Sequence, residues 1–201
     1  MTASHPFSLY LNLLILVLLK SGKVRKIILQ VAVSLDGYIE GPHGEYDWCF
    51  MDQDYGMAEF LLRIDTVIMG RKTYELMISY PSNPGDSFSL ALSRMDQYVF
   101  SNTLTSLPAD SPYTLINNDQ IDWLMTYKAT KGKDIWLFGG ASLTSSLFHQ
   151  HLVDEIILAV HPVLLGSGKS LAQGLIERVK LEFIESKAFD TGLVLMKYRV
   201  K

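Results

Sequence analysis

The stretch that most constrains the fold is residues 134–143, where a strand pattern runs directly into two glycines and a helix pattern. Residues 135–138 are all apolar, too few for a helix and typical of a strand buried on both faces. Gly139 and Gly140 follow, and residues 141–148 have helical spacing. The first N–H groups of a helix lack intrahelical partners and lie at the positive end of its dipole. The junction therefore predicts an anion site that a phosphate can approach closely, although a plain turn would have the same sequence.

Composition places the chain among ordinary globular proteins. Its 201 residues suffice for one domain with a full core, and 48% are hydrophobic against 19% charged. The net charge of -3 gives no support to nucleic-acid binding, which favours a basic surface. Cys49 is the single cysteine and excludes an internal disulfide, which favours the cytoplasm. His149 and His151 are two apart and would point to different sides of a helix, so we expect no metal.

An apolar run near the N-terminus stands apart from the rest of the chain. Residues 9–19 are almost all apolar and are followed by Lys20, but the run is shorter than the roughly 17–25 residues that span a bilayer. It also lacks the basic start and the small-residue cleavage site of a signal peptide. Three interpretations of this run are open. It is a helix packed on the domain, an export or membrane segment, or a non-native extension before a start at Val24. We divide the chain into this extension, residues 1–23, and a domain, residues 24–201, and expect no membrane partner.

Three segments share one pattern, a short apolar strand that ends in glycine or in small polar residues. The segments and the residues that follow them are 66–69 with Gly70, Arg71, Lys72 and Thr73; 97–100 with Ser101 and Asn102; and 135–138 with Gly139 and Gly140. Ligands of open α/β sheets bind at the edge where the carboxyl ends of the strands meet. We therefore predict an open α/β sheet around a central strand at residues 27–33, with a ligand along that edge. Strand patterns at residues 181–186 and 193–200 predict a closing antiparallel pair.

A loop of mixed polar and aromatic residues follows the first strand. Asp36-Gly37 is a turn signal. Tyr38 and Trp48 lie beyond it, in a composition suited to closing over a flat ring, although an ordinary polar loop with an aromatic anchor would look the same. The loop is therefore a candidate substrate region.

Five segments occur in the order of one known family. They are residues 33–39 (VSLDGYI), 67–75 (VIMGRKTYE), 100–102 (FSN), 137–142 (LFGGAS) and 161–168 (HPVLLGSG). With them the chain, from about residue 26 to the end, resembles the dihydrofolate-reductase-like fold, and within it the reductase domain of riboflavin biosynthesis and its stand-alone relatives. The resemblance implies a three-layer α/β fold, with a mixed, mostly parallel central sheet, flanking helices and a C-terminal antiparallel hairpin. It does not reach the first 23 residues, and no deaminase domain accompanies it.

The resemblance also implies that NADPH lies across the strand ends. Arg71 would meet the 2′-phosphate, because a planar guanidinium can bond two phosphate oxygens at once. The other implied cofactor-binding residues are Gly70, Lys72 and Thr73 near the pyrophosphate, Ser101 and Asn102 at the adenosine end, and Gly139, Gly140, Ala141, Ser142 and Leu143 on the other side of the pyrophosphate. The Gly139–Gly140 peptide would be cis, as is common in the family.

For hydride transfer, the protein has to align the nicotinamide with the substrate. A proton also has to come from an acid or a water. Asp36 matches the Asp-Gly of the family at the end of the central strand and is one catalytic candidate. Asp54 is the other, since folate-reducing relatives carry a carboxylate on the first helix, which we predict from Asp52 or Asp54 to about Arg63. Acidic residues at a helix start are usually caps, which is the competing interpretation of Asp54.

The sequence thus predicts a cytoplasmic, homodimeric, NADPH-dependent reductase of a small heterocyclic or ribosylaminopyrimidine-type substrate. Tyr38, Trp48 and Lys169 are the substrate-binding candidates. Lys169 is the one evident cation for a substrate phosphate, a shortage that counts against the riboflavin-pathway substrate. The alternatives are a dihydrofolate reductase and a non-catalytic, dimeric nucleotide-binding module.

Overall fold

A computed structural model describes residues 24–79 and 87–201. Its ten strands are β1 (Ile27–Ser34), β2 (Tyr38–Glu40), β3 (Ile64–Gly70), β4 (Asp96–Phe100), β5 (Tyr113–Ile116), β6 (Asp134–Gly139), β7 (Glu155–His161), β8 (Lys169–Ser170), β9 (Leu181–Ala188) and β10 (Val194–Val200). Its five helices are α1 (Met57–Leu62), α2 (Arg71–Ser79), α3 (Ser87–Leu92), α4 (Gln120–Lys128) and α5 (Ala141–His149). In these two ranges no helix has the length and apolar character needed to cross a bilayer. The extension predicted over residues 1–23 lies outside the described residues.

Eight strands form one sheet in the order β5-β4-β3-β6-β1-β7-β10-β9. The pairs from β5 to β7 are all parallel, whereas β10 runs antiparallel to both β7 and β9. The short strands β2 and β8 form a separate antiparallel pair. The predicted mostly parallel sheet with a closing antiparallel hairpin is confirmed.

The sheet separates two cores, because alternate residues of a strand point to opposite faces. On one face Ile27 packs in a cluster with Leu124 of α4 and Leu147 of α5. On the other face Ile28 belongs to a cluster with helices from the opposite layer. The buried side chains that α1, α2 and α3 contribute to this second core are Phe60, Tyr74 and Leu92. β1 is therefore buried on both sides, as its continuous apolar sequence predicts.

The first helix is shorter than predicted. It begins at Met57, because Tyr55 and Gly56 have left-handed backbones, with φ of 48° and 83°, that interrupt any helix from Asp52 or Asp54. The Asp54 carboxylate instead accepts hydrogen bonds from the N–H groups of Gly56 and Ala58, at 3.0 and 2.8 Å. The predicted helix start was wrong by several residues, and Asp54 acts as a cap for the first turn.

An ion-pair network joins the amino ends of the central strands. Glu155 is 4% exposed and accepts hydrogen bonds from Lys26 and from Arg63, which also reaches Asp134. Burial raises the pKa of Glu155, but the hydrogen bonds from Arg63 and Lys26 outweigh it and leave that pKa below its ordinary value. The network lies at the opposite end of the strands from the predicted ligand edge and serves stability.

Candidate functional site

The three predicted strand ends lie side by side at one edge of the sheet. β3 pairs with β4 so that Gly70 is opposite Phe100, and with β6 so that Met69 is opposite Gly139. A Cβ atom on Gly70 would lie 3.6 Å from the backbone nitrogen of Gly140. The starts of α2 and α5 therefore face each other across a narrow gap, which a side chain at position 70 would line. Arg71 and the paired glycines are on the same side of the molecule.

The glycine pair forms the floor of this gap. The peptide bond between Gly139 and Gly140 is cis, as the family resemblance implied, and Gly139 has a φ of 128° that favours glycine. A Cβ atom on Gly140 would lie 3.2 Å from the Thr73 hydroxyl. α5 begins at the next residue, so its first N–H groups, from Ala141 to Leu143, are free of intrahelical partners. The gap is thus lined by backbone donors and by one hydroxyl.

Two cations begin α2. The Arg71 guanidinium is 40% exposed and pairs with Glu75 one turn later, at 2.7 Å. An exposed pair of this kind stabilises weakly, so a ligand phosphate can compete for the guanidinium. Lys72 is exposed, and within residues 24–79 and 87–201 it has no ion pair. Together these side chains place positive charge at the opening of the gap between α2 and α5, which we call the groove.

Ser101 and Asn102, after β4, have different environments. Ser101 is 6% exposed, and its hydroxyl accepts hydrogen bonds from the N–H groups of Thr103 and Leu104, so it shapes the turn. The Asn102 amide oxygen accepts a hydrogen bond from Gln120 at 2.8 Å. Asn102 lines an open cleft of about 320 Å³ together with residues of α4 and α5. Asn102 is exposed and Ser101 is buried, so Asn102 rather than Ser101 lies at the surface that a ligand could contact.

Asp36 ties two loops together. Its carboxylate accepts hydrogen bonds from the Ser34 hydroxyl at 2.6 Å and from the N–H groups of Leu165 and Gly166 at 3.1 and 2.7 Å. The Ser34 hydrogen bond is the largest cause that lowers the pKa of Asp36, with the two N–H groups adding to it. A carboxylate held ionised in this way is a poor proton donor. The catalytic role of Asp36 stays a prediction, while its contacts connect the turn after β1 with the loop after β7.

The substrate-side cation is already paired. Lys169 on β8 lies 2.6 Å from the Glu40 carboxylate on β2. Tyr38 begins β2, is half-buried, and its N–H donates to Ser34. The ion pair holds the two short strands together, so Lys169 would have to leave Glu40 to bind a substrate phosphate, and its predicted role stays a prediction.

Residues 45–55, which we call the aromatic loop, pack on the end of β7. Trp48 and Phe50 meet the His161 ring edge-on, with ring centroids 5.3 and 5.1 Å away. The Phe50 N–H also donates to Nε2 of His161 at 3.0 Å. Sequence reasoning noted His161 only as part of a family segment. A histidine that ends a buried apolar strand was the signal that could have singled it out.

Metal ligands do not gather in the part of the chain that the structure describes, where no three His, Cys, Asp or Glu side chains are placed to hold an ion. His149 accepts a hydrogen bond from the N–H of Ile176 at 3.3 Å.

The strand order and the glycine-lined groove define a dihydrofolate-reductase-like fold, and solved structures agree. Dihydrofolate reductase from Enterococcus faecalis, in a complex with NADP(H), superposes with a TM-score of 0.60 at 15% identity, covering 88% of this chain and 96% of that one. A Shewanella sp. PV-4 protein assigned to riboflavin biosynthesis superposes with a TM-score of 0.74 at 26% identity, covering 88% and 99%.

The chain belongs to the RibD C-terminal domain family, whose profile matches residues 25–195. A curated relative, the uncharacterized protein YyaP of Bacillus subtilis (strain 168), is 41% identical in an alignment of 182 positions that covers 88% of this chain and 95% of YyaP. The fold class and the family expected from the sequence are both confirmed.

Proposed function

We propose that this protein is an NADPH-dependent reductase of a small heterocyclic substrate. The observation that carries the proposal is the groove between α2 and α5, where Gly70, Gly140 and Arg71 meet at the carboxyl edge of the sheet. Backbone N–H groups at a helix start, with a guanidinium beside them, are the donors that a dinucleotide phosphate needs. Membership of a family named for riboflavin biosynthesis and the similarity to an NADP(H)-binding fold support it.

The residues present fit this cofactor along the sheet edge. The adenosine end would lie near Asn102 after β4, and Arg71 would bind the 2′-phosphate. The pyrophosphate would lie between Thr73 and the N-terminus of α5, where a Cβ on Gly140 would fill the approach. Because β1 follows β6 in the sheet order, the nicotinamide would lie toward β1. The bound cofactor supplies the hydride, and the chain supplies binding and alignment.

The substrate would lie between the end of β1 and the aromatic loop. Leu35 follows β1 and is 64% exposed, an apolar surface suited to a flat ring. Trp48, on the loop, packs against His161 at the end of β7, the strand next to β1. Lys169 is engaged with Glu40, so a substrate phosphate would have to break this ion pair to bind it. We therefore propose an unphosphorylated heterocycle in preference to the ribosylaminopyrimidine phosphate of riboflavin biosynthesis. The homodimer expected from the family also remains a proposal.

Two measurements test this function. NADPH and NADH are titrated in parallel against the protein, with energy transfer from tryptophan to the reduced nicotinamide as the signal. We expect saturable binding with a preference for NADPH. Oxidation of NADPH is then followed with dihydrofolate, the ribosylaminopyrimidine phosphate and its dephosphorylated form. Absence of saturable binding of either nucleotide refutes the reductase, and a turnover preference for the phosphorylated compound refutes the proposed substrate class.

A further inference from the structure

His161 has both ring nitrogens engaged in a buried position. It is 3% exposed at the end of β7. Its Nδ1 lies 2.9 Å from the carbonyl oxygen of Ala159, which can only accept, so Nδ1 carries the proton. Its Nε2 receives the Phe50 N–H at 3.0 Å, so Nε2 has a free lone pair. The contacts therefore specify one neutral tautomer, with a donor toward the strand and an acceptor toward the aromatic loop.

The aromatic loop rests on the sheet through two contact regions. At one, Trp48 and Phe50 surround the His161 ring. At the other, the Tyr55 hydroxyl bonds Thr191 at 3.1 Å, next to the start of β10. The hydrogen bond from Phe50 to His161 ties the backbone in the middle of the loop to the sheet, so the first region depends on the state of the imidazole.

This contact is close to the expected reaction centre. In the sheet order β7 is next to β1, on the side away from β6. A cofactor laid across the ends of β4, β3 and β6 would bring its nicotinamide toward β1, so the loop held at the end of β7 borders the space for the substrate. This step rests on the proposed function, whereas the docking of the loop on His161 does not.

We propose that His161 is a positioning residue that holds the aromatic loop against the substrate end of the groove, and that it does so only as the neutral imidazole. A second ring proton would sit on Nε2 and turn an acceptor into a donor that faces the Phe50 N–H. Two donors would then oppose each other at 3.0 Å, and the loop would be released.

The surroundings of the ring offer little compensation for a positive charge. The loop presents Trp48 and Phe50, both uncharged, and β1 presents Ser34, which lies opposite His161 in the strand pairing. Asp36, two residues beyond the end of β1, has its carboxylate held by three hydrogen bonds. Burial is the largest cause that lowers the pKa of His161, and the Ala159 carbonyl opposes it only in part. The neutral form therefore predominates at neutral pH, and acidification below the ordinary histidine range releases the loop.

Cys49 reports the state of the loop directly. It lies between Trp48 and Phe50, is half-buried, and is the single cysteine of the chain. Burial, with a smaller effect of Asp47, raises the pKa of its thiol to about 11. The rate of its reaction with a dithiodipyridine, divided by the rate of glutathione at the same pH, measures loop opening without the trivial effect of thiol ionisation. The protein is used without nucleotide, so a failure of NADPH binding leaves the result readable.

The comparison uses wild type, His161→Ala, His161→Gln and the control His43→Gln from about pH 8 to about pH 5. For the wild type we expect the relative rate to rise about tenfold on acidification, the worth of one buried hydrogen bond. His161→Gln offers an amide oxygen to the Phe50 N–H and should stay slow at every pH, whereas His161→Ala should be fast at every pH. His43 is exposed, so His43→Gln should follow the wild type.

Two results overturn the proposal. One is a relative rate of the wild type that is constant over this pH range. The other is a pH-dependent rise that persists in His161→Gln, since the release would then come from another group. If His161→Ala proves unfolded by circular dichroism, the wild-type profile and the glutamine variant still decide between these outcomes.

Discussion

Arg71→Gln separates binding of the 2′-phosphate from binding of the rest of the cofactor. Arg71 begins α2 at the mouth of the groove, and its guanidinium is 40% exposed. Glutamine has a similar helix propensity, so the substitution removes the charge with little effect on the helix. Because NADH has no 2′-phosphate, the variant should lose affinity for NADPH and keep its affinity for NADH.

The magnitude follows from two opposing contributions. A hydrogen bond to a charged phosphate contributes about 1.5–3 kcal/mol. Arg71 has to give up some of its pairing with Glu75, 2.7 Å away, and an exposed pair at this helical spacing is worth about 0.3–0.5 kcal/mol. The net loss in Arg71→Gln is about 1–2.5 kcal/mol, or about five- to seventyfold in the dissociation constant of NADPH.

The assay is the parallel fluorescence titration of NADPH and NADH, and two matched variants sharpen it. Glu75→Gln frees the guanidinium and should tighten NADPH binding up to about twofold. Lys72→Gln removes a cation expected near the pyrophosphate, which both nucleotides share, and should weaken both alike. If Arg71→Gln lowers the affinities for NADPH and NADH equally, or lowers neither, then Arg71 does not bind the 2′-phosphate and the placement of the adenosine end is wrong.

Three further substitutions test the site and the fold. Gly140→Ala places a methyl group 3.2 Å from the Thr73 hydroxyl, so NADPH affinity in the same titration should fall about tenfold or more. Asp54→Ala removes a cap of α1 and should lower the thermal midpoint by about 2–4 °C. Asp54→Asn retains a side-chain oxygen that can accept the cap hydrogen bonds, so its thermal midpoint should equal that of the wild type. If Asp54→Asn nevertheless lost turnover, Asp54 would have a catalytic role. Glu155 has a lowered pKa, so its carboxylate stabilises the fold above the ordinary glutamate pKa and this contribution is lost as the pH falls through the folded value. Urea titrations should show a weaker acid dependence in Glu155→Gln.

Regular elements with strong local patterns were predictable from the sequence. The buried strands of residues 27–33 and 135–138 have continuous apolar runs, and the glycines at positions 139 and 140 mark where one of them ends. β5 was not predicted, because it has only four residues and the exposed Thr114 interrupts its apolar pattern. α3 was not predicted either, since six residues are too few to show a helical period.

The candidate site divides in the same way. The groove residues around Arg71 and Gly140 were predictable because strand ends followed by glycine or cations are local patterns. The hydrogen-bond and ion-pair partners of individual side chains were not predictable from the sequence. Glu40 pairs with Lys169 from a distance of 129 residues along the chain, and the partners of Asp36 in the loop after β7 are equally remote.

The sequence by itself determined which segments become buried strands and where the chain exposes helix N-termini, because periodicity and glycine act within a few residues. Only the tertiary structure decided that these strand ends are neighbours and that Lys169 pairs with Glu40. It also decided that a neutral His161 holds the aromatic loop, because its Nε2 accepts a hydrogen bond from the Phe50 N–H at 3.0 Å. The physical reason is that the charge and protonation state of a group depend on what surrounds it in space, and the fold assembles those surroundings from distant parts of the chain.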